Sequence, residues 1–370
     1  MKTICIRVDG NKEIATGHIG RCLSVARMFN SPLTENIIQQ TAVIFIVSDE
    51  NSKKILEERF EKTDNFEIVL LNTPYKDMEK ELPALIETLD KTGCSCLLVD
   101  SYFVTENYLN QLHKALKARD CKLAYIDDLQ QLSHYDTDVI INYGITDAPA
   151  IYQDVPTVLM GPSFTPLRAQ FSNIGSKFGD SENIANFGKN SINIFISSGG
   201  IDSQNMSVLL INAILNSQLS AKDITLSFHV LTSRLNSHFE ELISLSASGK
   251  NIHIYEGVSD VAGIMKQCDV AVSAGGTTLS ELCAMGIPAI SYLNADNQRK
   301  GIEEFARNEI IPYAGDVTDE KNKDAVIDNI LKFINQFFNL PVSKQRDVSD
   351  KMRNYIDGQG ACRIACELLK

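Results

Sequence analysis

The chain has 370 residues, which suits two domains of ordinary size, and its 44% hydrophobic and 22% charged residues are normal for a globular protein. The net charge of -12 argues against nucleic-acid and acidic-membrane partners, and no segment reaches the roughly 18 apolar residues of a membrane span. Nine cysteines, an odd number without a CxxC pair, indicate reduced thiols in a cytoplasmic protein and argue against a zinc site.

The first half of the chain alternates short β-branched segments with longer helical patterns. Its start, MKTICIRVDG, carries a charge at Arg7 and lacks the apolar stretch of a signal peptide, so it is predicted to be a strand. The predicted strands are Thr3–Val8, Ala42–Val47, Glu67–Leu71, Cys96–Val99, Lys122–Ile126 and Val139–Ile141. The predicted helices are Gly20–Met28, Ser52–Lys62, Met78–Lys91 and Glu106–Ala118. This alternation predicts right-handed βαβ units and a parallel sheet.

The pattern pauses over Gly161–Asn190, where prolines, glycines and polar residues predict a connection between domains. It then resumes, and Ser343–Leu369 follows as two helical patterns broken near Asp357–Gly360. The predicted strands of the second half are Ser191–Ser197, Thr225–Leu231, Asn251–Tyr255, Asp269–Val272 and Ala289–Ser291. The prediction is therefore an α/β protein with two doubly wound domains, residues 1–165 and 188–345. Residues 346–370 are expected to be helices, and ligands are expected in a cleft at the carboxyl ends of the strands.

The segment SAGGTTLSE, which follows the strand Asp269–Val272, gives the strongest functional signal. Gly275 and Gly276 let the backbone approach a ligand closely, and the first turn of the following helix offers free N–H groups to an anion. Thr277 and Thr278 are expected to supply hydroxyls and a helix cap, and the carboxylate at position 281 can accept from a ribose diol. The alternative is a glycine-rich turn with a capping box from Thr278 to Glu281.

Two further loops follow strands of the second half. In the segment ADNQ, Asn297 and Gln298 can read sugar hydroxyls, although Asp296 could also simply start a helix. In the segment SSGGID, the N–H groups of a strand–loop–helix turn could face an anion, which makes three residues candidates for ligand binding: Gly199, Gly200 and Asp202. The chain contains neither GxGxxG nor GxxxxGK[ST], which disfavours a dinucleotide fingerprint and a P-loop.

In the first half, His18 follows the first strand and lies between Gly17 and the glycine at position 20. Histidine titrates near neutral pH and can take a proton from water, so His18 is the candidate general base. The alternative for a lone histidine is a buried structural role, which the flanking glycines make less natural.

Polar residues end three more strands of the first half, in the segments DSY (100–102), NYG (142–144) and DD (127–128). Tyr102 and Asn142 are expected to face the cleft. The carboxylate pair Asp127 and Asp128 suggests acid–base chemistry or magnesium, with a loop contact or helix cap as the more common role of such a pair.

The segments GHIGRCLSVA, VDSY, IDDL, GPSFTPLR, SSGGID, SAGGTTLSELCAMGIPAI, ADNQ and DGQGACRIA occur in this order along nearly the whole chain. They resemble the UDP-2,4-diacetamido-2,4,6-trideoxy-β-L-altropyranose hydrolases of pseudaminic acid biosynthesis. That family is similar to the glycosyltransferases that add N-acetylglucosamine to a lipid-linked peptidoglycan precursor, and both have the GT-B architecture of two Rossmann-like domains.

The resemblance implies that His18 is the catalytic histidine and that the glycine–threonine turn holds the diphosphate. It also implies that Glu281 binds the ribose and that Asn297 and Gln298 bind the sugar. The GT-B architecture implies further that the helices of residues 346–370 cross back to the first domain. Further residues within matching segments are expected to bind substrate: Gly17, Arg21, Tyr102, Asn142 and Arg168. No cofactor and no metal are implied.

The chain also departs from the family. Ile14-Ala15-Thr16 replaces the usual glycine-containing sequence before His18, and Ile201-Asp202-Ser203 replaces the usual Ser-Asp-Pro. Extra length is present around Ser31–Gln40 and Asn173–Asn190. The expected activity is hydrolysis of a UDP-activated amino sugar at the anomeric carbon with inversion. Glycosyl transfer to an acceptor hydroxyl is the alternative, and a non-catalytic nucleotide-sugar sensor is a third possibility.

Overall fold

The computed structural model describes residues 2–11, 13–14, 16–31, 41–144, 150–172, 191–217, 219, 224–249 and 251–370. The chain divides into two compact units, Met1–Ala169 with Gly358–Lys370, and Gln170–Asp357. Ala15, most of the extra length after Ser31 and residues 173–190 of the predicted connection lie outside the described residues.

The first unit contains a seven-stranded, fully parallel sheet with the order β3-β2-β1-β4-β5-β6-β7. Its strands are β1 (Lys2–Val8), β2 (Thr41–Val47), β3 (Phe66–Leu70), β4 (Cys96–Asp100), β5 (Lys122–Ile126), β6 (Val139–Asn142) and β7 (Thr157–Met160). Its first four helices are α1 (Gly17–Met28), α2 (Glu50–Glu57), α3 (Leu82–Thr92) and α4 (Glu106–Lys117).

The central strands of this sheet are buried on both faces. In β1, Ile4, Ile6 and Val8 pack into one core with α1, while Cys5 packs into the core on the opposite face. Strands covered on both faces appear in the sequence as nearly continuous apolar runs, which is why they could be predicted.

The second unit contains a six-stranded, fully parallel sheet with the order β10-β9-β8-β11-β12-β13. Its strands are β8 (Ser191–Ser197), β9 (Thr225–Thr232), β10 (Ile252–Glu256), β11 (Val270–Ala274), β12 (Ala289–Leu293) and β13 (Tyr313–Asp316). Its helices are α5 (Met206–Leu215), α6 (Phe239–Ser246), α7 (Val261–Lys266), α8 (Thr277–Met285), α9 (Arg299–Arg307), α10 (Lys323–Phe338) and α11 (Val342–Tyr355). The prediction of two doubly wound parallel-sheet domains is confirmed.

The last helix, α12 (Gly360–Leu368), belongs to the first unit, whereas α11 belongs to the second. Ile364 and Leu368 of α12 are buried in the same core as α1. The first residue of α12 is Gly360, and a side chain would not fit there, because a Cβ atom would lie 2.2 Å from the Thr165 carbonyl oxygen.

The two strands that the sequence pattern did not predict, β7 and β13, both lie at the edge of a sheet. Each has four residues, and β13 contains Gly315 with φ +137°. The predicted helix Met78–Lys91 is also divided in two, because a short 3₁₀ segment, Met78–Glu81, precedes α3.

Candidate functional site

In the first unit, the strand order reverses between β1 and β4, the place where ligands bind in doubly wound sheets. His18 lies in the first turn of α1, which follows β1, and Asp100 is the last residue of β4. Neighbouring strands therefore deliver both side chains to the same edge of the sheet.

The two side chains form a hydrogen-bonded pair. Nδ1 of His18 lies 2.5 Å from Oδ1 of Asp100, and His18 is only 4% exposed. Because an ionised carboxylate only accepts hydrogen bonds, Nδ1 must carry the proton in this contact. Nε2 makes no hydrogen bond with the described residues. The pair therefore presents Nε2 as a basic nitrogen, the arrangement used by histidine general bases.

Arg21 lies one turn further along α1 and donates two hydrogen bonds to Asp100. Its Nε donates to Oδ2 at 2.6 Å and its Nη2 to Oδ1 at 2.5 Å. Its Nη1 donates to Asp128 at 2.6 Å and to the Tyr143 hydroxyl at 2.7 Å. Protein acceptors thus take up four of the five N–H donors of Arg21, and its direct contact with substrate stays a prediction.

Asp100 is ionised although it is buried. Burial alone would raise the pKa of Asp100, but the Arg21 guanidinium and the hydrogen bonds from Arg21 and His18 outweigh burial and hold that pKa well below its usual range. The thiol of Cys22 also donates to Oδ2, at 3.4 Å. A buried carboxylate with this number of donors is fixed both in position and in charge.

Tyr102 covers His18 from the solvent side. The two rings meet edge to face with centroids 4.3 Å apart, and Tyr102 is 38% exposed. Burial, and then the carboxylate of Asp128, raise the pKa of the Tyr102 hydroxyl, so the phenol stays protonated. Tyr102 therefore offers an exposed ring edge and a hydroxyl beside the base.

The side chain of Asn142 has protein partners, and its contact with a ligand stays a prediction. Asn142 is buried, its Nδ2 donates to the Tyr152 hydroxyl at 3.0 Å, and its Oδ1 accepts from the N–H of Gly144. The Tyr152 hydroxyl in turn donates to Asp127, which also accepts from the N–H of Gln130. Asn142 and Asp127 thus form a buried network that fixes the loops after β5 and β6. For Asp127, this is the loop contact that the sequence offered as the alternative to acid–base chemistry or magnesium binding.

Two other residues predicted to bind substrate lie in the first unit. Gly17 is exposed at the first position of α1, with open space around its Cα. Arg168 is half-buried near Arg59, and burial followed by the charge of Arg168 lowers the pKa of Arg59. Arg59 donates to the Thr16 hydroxyl at 2.7 Å, so both arginines lie toward the start of α1.

In the second unit, the strand order reverses between β8 and β11, and the two glycine loops follow these two strands. Gly276 precedes α8 with φ +123° and ψ -169°, a conformation essentially restricted to glycine. The backbone N–H groups of Gly276, Thr277 and Thr278 have no hydrogen-bond partner among the described residues. These N–H groups, at the positive end of α8, form an anion-binding arrangement.

The threonines do not cap α8. The N-cap is Gly276 and no side chain bonds the first turn, so the predicted threonine cap is wrong and the alternative capping box is not formed. Their hydroxyls make no hydrogen bond within the described residues, which leaves the hydroxyls of Thr277 and Thr278 open to a ligand. Glu281, one turn later, is buried at 7% exposure.

The glycine at position 275 brings the loop after β12 against this turn. A Cβ at Gly275 would lie 2.6 Å from Ile302 and 2.7 Å from Gln298. Gln298 uses its Oε1 to accept from the N–H of Asn294, while Asn297 is exposed. Asn297 is thus open to a ligand, and Gln298 helps to hold its own loop.

Asn294 is a site residue that the sequence reasoning missed. Its Nδ2 donates to the Ser198 carbonyl at 3.0 Å and so ties the loop after β12 to the loop after β8. The sequence feature that could have identified Asn294 is its position directly after an apolar strand and before the segment ADNQ.

The loop after β8 contains Gly199, with φ +80°, and Gly200, both exposed. Asp202 is buried instead, and its two oxygens accept from the N–H groups of Met206 and Ser207 at 2.8 and 3.0 Å. Asp202 therefore holds the first two N–H groups of α5, and its contact with substrate stays a prediction.

The described residues include no group of three or more His, Cys, Asp or Glu side chains arranged to hold a metal ion. Within the same part of the chain, no helix is long and apolar enough to cross a membrane.

The chain is similar in sequence or in structure to several known proteins. No protein-family model matches it. It is 24% identical to an uncharacterised protein of Methanocaldococcus jannaschii over 318 residues, 82% of this chain and 58% of that protein, so it spans little more than half of that relative. It is 21% identical to the spore coat polysaccharide biosynthesis protein SpsG of Bacillus subtilis over 303 residues, 81% of this chain and 80% of that protein.

A shorter match, 33% identical over 76 residues, covers 19% of the chain and 21% of the UDP-N-acetylglucosamine--N-acetylmuramyl-(pentapeptide) pyrophosphoryl-undecaprenol N-acetylglucosamine transferase of Exiguobacterium. Among solved structures, MurG of Acinetobacter baumannii has a TM-score of 0.63 at 11% identity, over 99% of this chain and 98% of that one. The fold is therefore the GT-B type, with two Rossmann-like units. At these identities the similarity extends to the fold and not to a particular reaction.

Proposed function

We propose that the protein is a nucleotide-sugar enzyme that hydrolyses a UDP-activated, di-N-acetylated deoxy amino sugar at its anomeric carbon. The observation that carries the proposal is the buried His18–Asp100 pair, whose Nε2 has no hydrogen-bond partner among the described residues. A base of this kind removes a proton from a small nucleophile such as water.

In this mechanism the glycine turn before α8 binds the diphosphate. The N–H groups of Gly276, Thr277 and Thr278 stabilise the negative charge that develops on the leaving group. Glu281 is proposed to bind the ribose and Asn297 the sugar. These donors need no reorganisation during the reaction, because the backbone conformation of Gly276 already orients the N–H groups of the turn.

The chemical step is a single displacement. The oxygen of water bonds to the anomeric carbon while the bond from that carbon to the diphosphate oxygen breaks. The electron pair of that bond leaves with UDP, and the water proton passes to Nε2 of His18. The imidazolium is stabilised by Asp100, which stays ionised because of Arg21. Direct displacement gives inversion and no covalent intermediate.

Glycosyl transfer is the second candidate, and the names of relatives favour it: one acts in spore coat polysaccharide biosynthesis and another is an N-acetylglucosamine transferase. Both reactions use the same donor site and differ in the nucleophile. The low exposure of His18 beneath Tyr102 favours a nucleophile as small as water.

The test is incubation of the protein with UDP-sugars in the absence of any acceptor, in water enriched in ¹⁸O. We expect UDP release, label in the free sugar rather than in UDP, and an inverted anomer by NMR. His18→Ala should lose on the order of 10²–10⁴-fold in turnover. His134→Ala is the matched control, because His134 is exposed and its ring pairs with Asp136. Release that requires an added acceptor would instead establish the transferase.

A further inference from the structure

We propose that Arg21 is a positioning residue: by keeping Asp100 ionised it selects the tautomer of His18 that leaves Nε2 free. The inference rests on the proposed function only in naming Nε2 as the base; the tautomer itself is a property of the free protein.

The first step concerns the charge of a buried carboxylate. Asp100 is 1% exposed, and ionised carboxylates are buried only when they are paired. Its donors are His18, Arg21 and the weakly donating thiol of Cys22. Arg21 is the one fixed positive charge in this set, and it occupies both carboxylate oxygens.

The second step concerns the proton. If Arg21 is removed, Asp100 keeps only a neutral imidazole and a thiol, and the favourable state of the buried group becomes the protonated acid. An acid O–H donates, so Nδ1 of His18 would become the acceptor and Nε2 would carry the hydrogen. A protonated Nε2 of the neutral ring has no lone pair with which to accept a proton from water.

The third step concerns what holds Arg21. Its Nη1 donates to Asp128, which is 24% exposed, and to the hydroxyl of Tyr143, whose ring lies 5.8 Å from the guanidinium carbon. The remaining contact of Nη2, 3.0 Å from Nδ1 of His18, is a close approach rather than a hydrogen bond, since Nδ1 already donates to Asp100. The loop after β5 and the end of β6 therefore hold the arginine against the carboxylate.

The primary experiment is ¹⁵N NMR of the histidine rings in the substrate-free, full-length protein at about pH 8.5, two units above the ordinary imidazole pKa. In the wild type we expect His18 to be protonated at Nδ1. In Arg21→Met we expect the proton at Nε2, and in Arg21→Lys, which retains a charge, we expect it to remain at Nδ1. A ring in Arg21→Met that stays protonated at Nδ1 overturns the inference.

The control is Arg27→Met. Arg27 lies on the same helix, and its Nε and Nη2 donate to the carboxylate of Asp64, but it does not contact His18. Its loss should lower the melting temperature while leaving the His18 tautomer unchanged. A tautomer change in Arg27→Met would mean that general loosening of α1 explains the effect, and it would overturn the inference.

Kinetics supply the second readout. Arg21→Met should lower kcat on the order of 10²–10⁴-fold, the range for a misprotonated histidine base, with UDP affinity within two-fold of wild type. Because Arg21 acts through Asp100, Arg21→Met should add no further loss in an Asp100→Asn background. The double variant also buries no unpaired charge, so it remains informative if Arg21→Met does not fold. A further tenfold fall in the double variant relative to Asp100→Asn contradicts the proposal.

The two proposals fail separately. If the wild type releases no UDP from any UDP-sugar, the hydrolase is refuted and the NMR result is unaffected. If the tautomer is insensitive to Arg21 while hydrolysis proceeds, the positioning role is refuted and the hydrolase is retained.

Discussion

Gly276→Ala isolates the backbone conformation of the turn before α8. No heavy atom lies within 4 Å of a Cβ built at Gly276, so the substitution creates no clash, but its φ of +123° with ψ -169° is one that alanine avoids. Conformations of this kind cost about 1–3 kcal/mol for a residue with a side chain. The protein can either keep the strained turn and lose stability, or relax it and rotate the N–H groups away from the diphosphate.

The expected loss of UDP affinity follows from the second alternative. Hydrogen bonds to a charged group contribute about 1.5–3 kcal/mol each, so loss of one should raise the Kd for UDP by about 10- to 100-fold. Calorimetric titration with UDP measures the affinity, and a thermal melt measures the strain. A variant that relaxes the turn should lose UDP affinity with little change in melting temperature, whereas a variant that keeps the turn should have a lower melting temperature and nearly unchanged affinity.

Two glycines serve as controls. Gly249→Ala introduces a side chain at φ +79° in equally open space, and it should cost stability without changing UDP affinity. Gly301→Ala lies in α9 without positive φ or nearby atoms and should be neutral or slightly stabilising. Unchanged UDP affinity in Gly276→Ala, together with a melting temperature close to that of the wild type, would mean that the turn has relaxed without affecting UDP, and it would refute the placement of the diphosphate at this turn.

Three further predictions concern the base, the metal and pH. His18→Ala should lower turnover and leave UDP affinity near wild type, whereas Glu281→Ala should mainly weaken UDP binding; equal losses of affinity by calorimetry would refute this division of roles. Activity should persist in EDTA, because Asp127 and Asp128 are engaged by Tyr152 and Arg21; activity that vanishes with chelator and returns with magnesium would contradict this. The folded-state pKa of Asp100 is depressed, so its stabilising contribution is present above the unfolded pKa of about 4 and is lost as pH falls below it. Urea unfolding at pH 6 and pH 3.5 should show a smaller difference in Asp100→Asn than in wild type, and an equal difference would argue against an ionised Asp100.

The sequence predicted the interior strands and the loops that follow them, because strands buried on both faces are continuous apolar runs. It also predicted the five-residue edge strands β3 and β10, but it did not predict β7 and β13, which are edge strands of only four residues. Among site residues, sequence alone could not separate polar groups that face solvent from those that face the protein. Arg21, Asn142 and Asp202 all follow or adjoin strand ends, yet each is committed to a protein partner. That distinction depends on contacts between residues up to 122 positions apart, such as Arg21 and Tyr143.

The return of α12 to the first unit makes the second unit an insertion within the first. During synthesis the first unit is therefore begun first and completed last, since Ile364 and Leu368 of its core emerge only after all of Gln170–Asp357. The second unit can fold from a continuous stretch of chain before the final helix of the first unit has been synthesised. Until α12 is made, the apolar surface of the first unit that it covers stays exposed. Loss of the last dozen residues should therefore damage the half of the protein that carries His18, although those residues lie at the opposite end of the sequence.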